Sequence, residues 1–312
     1  LRKNATVFMP LRCCPAHTCR GLGHRATGMA VNSRAFQFVQ QLAANLRPEL
    51  DLPAFPDVVR RLQIALISDR TTIKDIVNII GSEPVLSARL MQMANSAAMN
   101  PAGSPVASLN NAVNRLGFNH VRTVSTAFAL RQLSRNESLG AIRPDLEQIW
   151  ATSNEVASIC YAVAKQAFGR QPDEAMLAGL LHSIGRLYIV MHAHQKDPTM
   201  RADPEFSEIL ETWQPVIGRS ILEAWGLPVR ICEAVENQDY LLNGGSAELE
   251  PLTRLLSAAK LKYRLAAEPE LLVRHPDAEF MLGSVNLGKG SFMDLMLSSQ
   301  QDIESMHQAL AA

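Results

Sequence analysis

The sequence predicts an all-α protein. The helical class is predicted because apolar residues recur with helical periodicity, alternating strand patterns are nearly absent, and the connections are short. The chain has 312 residues, 47% of them hydrophobic, which is enough apolar surface for a large core. No repeat of fixed period is present, so a solenoid is not expected.

The first part of the chain differs from the rest. Residues 1–33 contain Arg, Cys, His, Gly and Pro without a helical period, and the first residue is Leu1 rather than Met. Met29 lies just before the regular pattern begins. We therefore expect an irregular leader that is poorly ordered or not native. Its Cys and His residues match no common spacing of a zinc site.

Residues that typically begin or end helices follow along the chain. Thr72 is typical of an N-cap, with Asp75 in the position of the capping-box partner. Pro84 suits the first turn of the next helix. Ser108 is predicted to cap a further helix, and Gly117 is predicted to end it.

From residue 135 onward, the sequence pattern predicts a loop, five helices and a break. The loop covers 135–144, and the break covers 242–248. The five helices are predicted at 145–167, 172–192, 204–213, 216–225 and 228–237. Domain boundaries follow from this pattern: residues 34–243 form the main helical domain, and residues 244–312 form a C-terminal helical extension that packs on it or completes it.

Charge and cysteine usage exclude several functional classes. Lys plus Arg equals Asp plus Glu, 30 each, so no overall basic field would attract nucleic acid or an anionic membrane. The five cysteines are an odd and scattered set, which fits a reducing compartment better than a disulfide framework. No apolar run reaches 18 residues. We expect a cytoplasmic protein that binds neither nucleic acid nor membrane.

Several motifs occur in a fixed order between residues 45 and 243. They are LPAFP at 52–56, IIGSEPVL at 79–86, LMQMANS at 90–96, AVNRLG at 112–117, AGLLHSIG at 178–185, and WGLP at 225–228. Together they resemble the bacterial HDOD family, a degenerate relative of the HD phosphohydrolases. The resemblance implies an HD-like helical core joined to an N-terminal lobe, and a role in signal transduction.

The same resemblance identifies the positions at which HD hydrolases bind a divalent metal. Thr152 stands in place of the first His, His182 and Ser183 in place of the His-Asp pair, and Lys260 in place of the final Asp. Auxiliary positions carry Gln214 and, further on, Gln238 and Asp239. One of four ligands remains, and an ammonium group repels a cation. We therefore expect no metal, no cofactor and no catalysis.

The histidines have alternative interpretations. His182 is either a core side chain bonded to a neighbouring hydroxyl or carbonyl, or a surviving metal ligand, and its apolar neighbours favour the core. His192 and His194 form an H-x-H pair, but residues two apart on a helix point to different faces. A solvated helix end is the favoured interpretation of that pair.

A binding groove is a further candidate. Asn95, Ser96, Arg115, Arg122 and His182 are the residues we expect to line a groove between the lobes. In the alternative, Asn95 and Ser96 bond local backbone where a helix ends. Arg115, Arg122 and Arg131 are either phosphate contacts or solvated surface.

These observations predict a non-catalytic regulatory domain that acts through protein–protein binding, with signalling proteins in trans as partners. The first alternative is a residual metal-dependent phosphohydrolase or cyclic-dinucleotide phosphodiesterase, which only His182 supports. The second alternative is a nucleotide sensor that binds a cyclic dinucleotide without hydrolysing it.

Overall fold

The computed structural model describes residues 34–45, 56–68, 70–101, 103–169, 172–244 and 249–311. The leader predicted at 1–33 and most of the break predicted at 242–248 lie outside these residues. The described residues form α-helices, short 3-10 helices and one isolated β-bridge between Asn286 and Ser291. The all-α prediction is therefore confirmed.

Five helices make up the N-terminal part. They are α1 (Arg34–Asn45), α2 (Asp57–Ile67), α3 (Ile73–Gly81), α4 (Pro84–Asn95) and α5 (Leu109–Arg135). The local start signals are confirmed: Thr72 and Asp75 form a capping box, Pro84 lies in the first turn of α4, and the Ser108 side chain accepts from the backbone of Asn111. Helices α2, α3 and α4 pack against α5.

Gly117 interrupts α5 as predicted. Its φ of 72° and ψ of 167° are not helical, although helix continues on both sides of it. Only glycine adopts such a positive φ at little cost. The residue therefore ends one helical segment and begins another at a kink, and the second segment reaches into the core of the protein.

Six helices form the centre of the fold. They are α6 (Arg143–Ala167), α7 (Pro172–Leu181), α8 (Ile184–Lys196), α9 (Phe206–Ala224), α10 (Val229–Glu236) and α11 (Pro251–Ala267). Helix α7 is buried along its length except near its first residues, and it packs against α5, α6, α10 and α11. The stretch 172–196 alone among the described residues is long and apolar enough to span a membrane, but 94% of its apolar window is buried here.

Two predicted boundaries in this centre are wrong. The helix predicted at 172–192 is interrupted at His182 and Ser183, so α7 and α8 are separate. The helices predicted at 204–213 and 216–225 are one helix, α9, which continues through Pro215. Proline removes one backbone hydrogen bond, but burial of the flanking apolar residues outweighs that loss.

The segment predicted as a loop at 135–144 is also different. It contains a 3-10 helix at Glu137–Ile142, capped by the Asn136 side chain, which accepts from Ser138 N at 3.0 Å. Leu139 and Ile142 are buried in the core. Burial of these two side chains explains why the segment is ordered despite its loop-like composition.

Two glycines let neighbouring helices approach closely. A Cβ at Gly185 in α8 would lie 2.0 Å from the carbonyl oxygen of Gln214 in α9. A Cβ at Gly179 in α7 would lie 2.6 Å from the Cα of Ala157 in α6. The expectation that Gly185 allows close packing of helices is confirmed.

The C-terminal helices cover one side of this centre. They are α12 (Leu271–Arg274), α13 (Ala278–Gly283), α14 (Phe292–Ser298) and α15 (Gln300–Ala311). Helices α14 and α15 pack on α6, and α13 packs on α11. Lys165 of α6 pairs with Asp302 of α15 at 2.9 Å. These contacts attach residues 249–311 to the same set of helices that holds His182.

Candidate functional site

His182 lies in the two-residue turn between α7 and α8 and is 1% exposed. Its Nδ1 is 2.6 Å from the Gly179 carbonyl oxygen, and its Nε2 is 2.9 Å from the Ser183 hydroxyl. Because a carbonyl can only accept, Nδ1 carries the proton and Nε2 accepts from the Ser183 hydroxyl. Both ring nitrogens of His182 are thus used within the turn.

Burial is the main cause that lowers the pKa of His182, and the charge of Lys260 adds to it, so that the pKa falls to about 4. The imidazole is therefore neutral at pH 7. In the neutral ring with its proton on Nδ1, the lone pair of Nε2 is available to accept from the Ser183 hydroxyl.

Lys260 approaches this turn from α11. Its Nζ donates to Asp239 Oδ2 at 2.7 Å and to Gln238 Oε1 at 2.8 Å. Gln238 in turn donates from Nε2 to the His182 carbonyl at 3.0 Å and to the Val235 carbonyl at 2.7 Å. We call His182, Ser183, Gln238, Asp239 and Lys260 the His182 cluster.

The charges of the cluster are mutually compensated. Burial alone would raise the pKa of Asp239, but the Lys260 ammonium and the more distant Arg264 hold that pKa below its usual value. Arg264 lies 4.0 Å from Asp239 and forms a second ion pair with Glu268 at 2.8 Å. Burial lowers the pKa of Lys260, and the Asp239 carboxylate opposes that shift. The two groups are 2.7 Å apart and form a buried pair beside His182.

Thr152 of α6 contacts α11, the helix that carries Lys260. Its Oγ1 donates to the Tyr263 hydroxyl at 3.0 Å. Tyr263 follows Lys260 by three residues and so lies on the same face of α11. Sequence reasoning identified Thr152 and Lys260 but missed Tyr263 and Arg264, which the i, i+3 and i, i+4 spacing on α11 could have indicated.

The residues at these positions do not fit a divalent metal. They offer a hydroxyl at Thr152, an imidazole whose lone pair accepts from Ser183, and an ammonium at Lys260. Within the described residues, no group of three or more His, Cys, Asp or Glu side chains could hold a metal ion. A hard or borderline cation needs several N and O donors, and the ammonium would repel it.

The residues expected to line a groove are divided between two regions. Asn95 bonds the backbone of Val106 in both directions, at 3.0 and 2.8 Å, and Arg115 donates to the Ser104 carbonyl at 3.0 Å. Ser96 donates to the Met93 carbonyl at 2.8 Å. These three residues shape the segment between α4 and α5, which is a structural use of their polar groups.

Arg122 lies in the second region. It donates to the Leu66 carbonyl at 3.0 Å. It also lines a small cavity, whose other lining residues are Gln63, Thr126, Leu181, Trp225 and Leu227. The cavity lies where α2 meets the turn between α9 and α10, beside the end of α7 that precedes His182.

The prediction of a solvated helix end fails for one residue of the H-x-H pair. His192 is 8% exposed, which contradicts the prediction for this residue. Its ring packs against Phe38, with centroids 5.6 Å apart, and against Tyr188, with centroids 6.0 Å apart. Helix α1 supplies Phe38, and this long-range cover is not visible in the local sequence pattern.

The pKa of His182 predicts an acid-dependent loss of stability. The folded pKa lies below 6.5, so the unfolded chain binds the proton more readily between pH 6.5 and about 4. The stability that neutral His182 contributes is present above pH 6.5, and about 3 kcal/mol of it is lost by pH 4. Urea unfolding at pH 7.0 and 5.0 should show a smaller difference for His182→Gln than for the wild type, and equal differences would contradict this result.

A family model for the HDOD domain matches residues 52–241. The chain belongs to the HDOD domain family. The matched region of this HDOD protein runs from just before α2 to just beyond α10. It therefore includes the turn that holds His182, whereas Lys260 comes from the helix that follows the matched region.

Solved structures have the same fold. A candidate metal-dependent phosphohydrolase from Shewanella amazonensis SB2B is 26% identical, with a TM-score of 0.62, over 88% of this chain and 99% of that one. An HDOD domain protein of unknown function from Geobacter sulfurreducens is 19% identical, with a TM-score of 0.55, over 90% of this chain and 98% of that one. The likeness confirms the predicted fold class, with an HD-like helical core.

A curated relative is more distant. An uncharacterized protein of Treponema pallidum (strain Nichols) is 21% identical over 239 residues, which are 72% of this chain and 44% of that protein. The HDOD chain thus spans less than half the length of this relative.

Proposed function

We propose that this HDOD protein is a non-catalytic signal-transduction module that acts by binding signalling proteins in trans. The observation that carries the proposal is the buried pair between Lys260 and Asp239 beside His182. An ammonium with its own carboxylate partner stands where a metal-dependent hydrolase needs a cation and its ligands. The proposal therefore assigns this region to structure rather than to turnover.

The chemical requirements of metal-dependent hydrolysis at neutral pH also support the proposal. A metal-dependent hydrolase lowers the pKa of a bound water, and it needs several ligands and an open coordination position to do so. His182 is buried and its Nε2 accepts from Ser183. Similarity to the candidate phosphohydrolase of Shewanella amazonensis at 26% identity does not supply the missing ligands.

An apolar surface patch supports binding of a protein partner. Ile64 and Ile67 of α2 are 66% and 50% exposed, and Val229 of α10 is 62% exposed. Ile67 lies against Gly226, three residues before Val229, because a Cβ at Gly226 would be 3.2 Å from Ile67 Cδ1. Large apolar side chains exposed on neighbouring segments are typical of contact surfaces.

Metal content separates the proposal from the hydrolase alternative. The full chain, purified without chelators and then dialysed, should hold well under one equivalent of Mn, Fe, Mg or Zn by mass spectrometry. It should not hydrolyse a chromogenic phosphodiester above the level of the His182→Gln variant. One equivalent of metal that is lost in His182→Gln, together with turnover, would refute the proposal.

Partner binding is the positive test. Affinity purification of the tagged full chain from its native organism should identify a partner, whose binding is then measured with both purified proteins. Ile64→Asp combined with Val229→Asp should abolish that binding, whereas Val273→Asp, at an 82% exposed position on α12, is the matched control and should not. Equal binding by all three proteins would exclude the patch as the contact surface.

A further inference from the structure

Arg122 of α5 is a half-buried arginine whose partner is uncharged. Its Nη2 donates to the Leu66 carbonyl at 3.0 Å, which leaves further N–H groups of the guanidinium for other acceptors. Within the part of the chain that the structure describes, no Asp or Glu forms an ion pair with Arg122. A backbone carbonyl satisfies one donor of this side chain but does not balance its charge.

The guanidinium lines a cavity of about 230 Å³ that includes open solvent. Two other lining residues are polar, Gln63 and Thr126, and the remaining ones are Leu181, Trp225 and Leu227. The Thr126 hydroxyl already donates to the Arg122 carbonyl at 2.8 Å. Arg122 and Gln63 are therefore the lining residues whose side chains offer several N–H donors, and Arg122 is the cation among them.

This cavity adjoins the exposed apolar patch of α2 and α10. Gln63, which lines the cavity, directly precedes the exposed Ile64 in α2. Leu227, on another wall, directly follows Gly226, where a Cβ would be 3.2 Å from Ile67 Cδ1. A protein segment that covers the apolar patch would therefore bring its neighbouring side chains to the cavity.

The size of the cavity limits what it can hold. Sites for small-molecule ligands typically enclose about 300 Å³ or more, whereas this cavity has about 230 Å³ with open solvent included. It suits the end of a single side chain better than a nucleotide. A single cation in the lining also matches the one negative charge of a carboxylate, whereas a phosphate carries up to about two.

We infer that the cavity beside Arg122 binds the carboxylate of an Asp or Glu side chain, on a partner segment whose apolar residues cover Ile64, Ile67 and Val229. Arginine binds a carboxylate through two parallel N–H donors, and such charge-assisted bonds are stronger than neutral ones. A half-buried arginine is already partly desolvated, so it loses less hydration when a partner covers it. The inference rests on the proposed function and adds the chemistry of the partner.

Two short peptides that differ only in the carboxylate test the site. N-acetyl-Leu-Glu-Leu-amide and its Gln counterpart are titrated into the full chain at low salt and followed by NMR. The Glu peptide should bind about tenfold more tightly, as expected for a hydrogen-bonded charge pair, and this preference should shrink as salt is raised. Free propionate should bind more weakly than the Glu peptide, because it makes no contact with the apolar patch.

Variants of the protein complete a double-mutant cycle with the two peptides. Arg122→Gln should reduce the preference for the Glu peptide to less than twofold. Arg61→Gln removes the same charge from the exposed surface of α2 and should retain the preference. If Arg122→Gln does not fold because the bond to Leu66 is lost, Arg122→Lys keeps the charge without the planar fork and should show an intermediate preference.

Several outcomes would overturn the inference. They are equal affinity of the wild type for both peptides, no binding of either peptide, a preference that persists in Arg122→Gln, and binding of propionate as tight as that of the Glu peptide. A partner whose binding is lost in Ile64→Asp with Val229→Asp but kept in Arg122→Gln would refute this inference alone. Failure of the proposed function would instead appear as bound metal and turnover.

Discussion

Replacement of Gly185 with alanine should lower the free energy of unfolding by about 3 kcal/mol or more, since overpacking a close helix contact typically costs 1–3 kcal/mol. The added Cβ would lie 2.0 Å from the Gln214 carbonyl oxygen and 2.7 Å from the Gly218 amide nitrogen. These are backbone atoms, which cannot rotate away as a side chain can. Helices α8 and α9 would have to separate, and the apolar contacts between them would be lost.

Gly81 provides the matched control. It lies at the end of α3, and a Cβ there meets no heavy atom within 4 Å. Gly81→Ala should therefore leave stability unchanged or raise it by up to about 1 kcal/mol, because alanine loses less backbone entropy in a helix. Urea unfolding measures both variants at pH 7. If Gly185→Ala is as stable as Gly81→Ala, the close approach of α8 and α9 is wrong.

Local signals explain why the N-terminal helices could be predicted. Thr72, Pro84 and Ser108 begin helices through side chains or ring geometry that act within one turn. Gly117 ends a helical segment because its φ is positive, a property of that residue alone. These features depend on neighbours in sequence, so the sequence contains the information needed to find them.

The wrong boundaries depend on contacts between distant residues. The apolar pattern continues without a break through His182 and Ser183, so nothing local indicates that α7 ends there. The turn forms because the ring and carbonyl of His182 bond Gly179, Ser183 and Gln238. Pro215 is the opposite case, in which a strong local stop signal is overruled by burial of α9.

The candidate site could be located from its motif but not fully described. His182 and Lys260 were identified through resemblance to a family, yet their link through Gln238 spans 56 and 22 residues of sequence. Hydrogen bonds at such separations follow from how α10 and α11 pack on the turn.

Lys260→Met should destabilise the protein by about 3 kcal/mol at pH 7, near the lower end of the cost of removing one partner of a buried ion pair. Asp239 would lose its donor at 2.7 Å, and Gln238 Oε1 would lose its donor at 2.8 Å. Methionine has a length similar to that of the lysine stem, so packing changes little. Arg264, at 4.0 Å from Asp239, limits the loss because it still offsets part of the negative charge.

Removal of both charges distinguishes the stability contributed by the ion pair from that contributed by packing of the two side chains. Lys260→Met combined with Asp239→Asn should regain part of the lost stability, because an uncharged amide costs less to bury than an unpaired carboxylate. The two substitutions should therefore be strongly non-additive in a double-mutant cycle. Additive effects, or a loss below about 1 kcal/mol for Lys260→Met, would show that the ammonium does not hold this region together.

The pH dependence of the stability of Lys260→Met is an independent test of the ion pair. In the wild type, Lys260 keeps the pKa of Asp239 low, so the pair contributes stability above the unfolded pKa of aspartate and loses it as pH falls through the folded pKa. Without Lys260, burial should raise the pKa of Asp239, and protonation should then relieve part of the penalty. The difference between wild type and Lys260→Met should consequently shrink from pH 7 to pH 4. The pKa of His182, followed by NMR, should rise in the variant because the repelling ammonium has been removed.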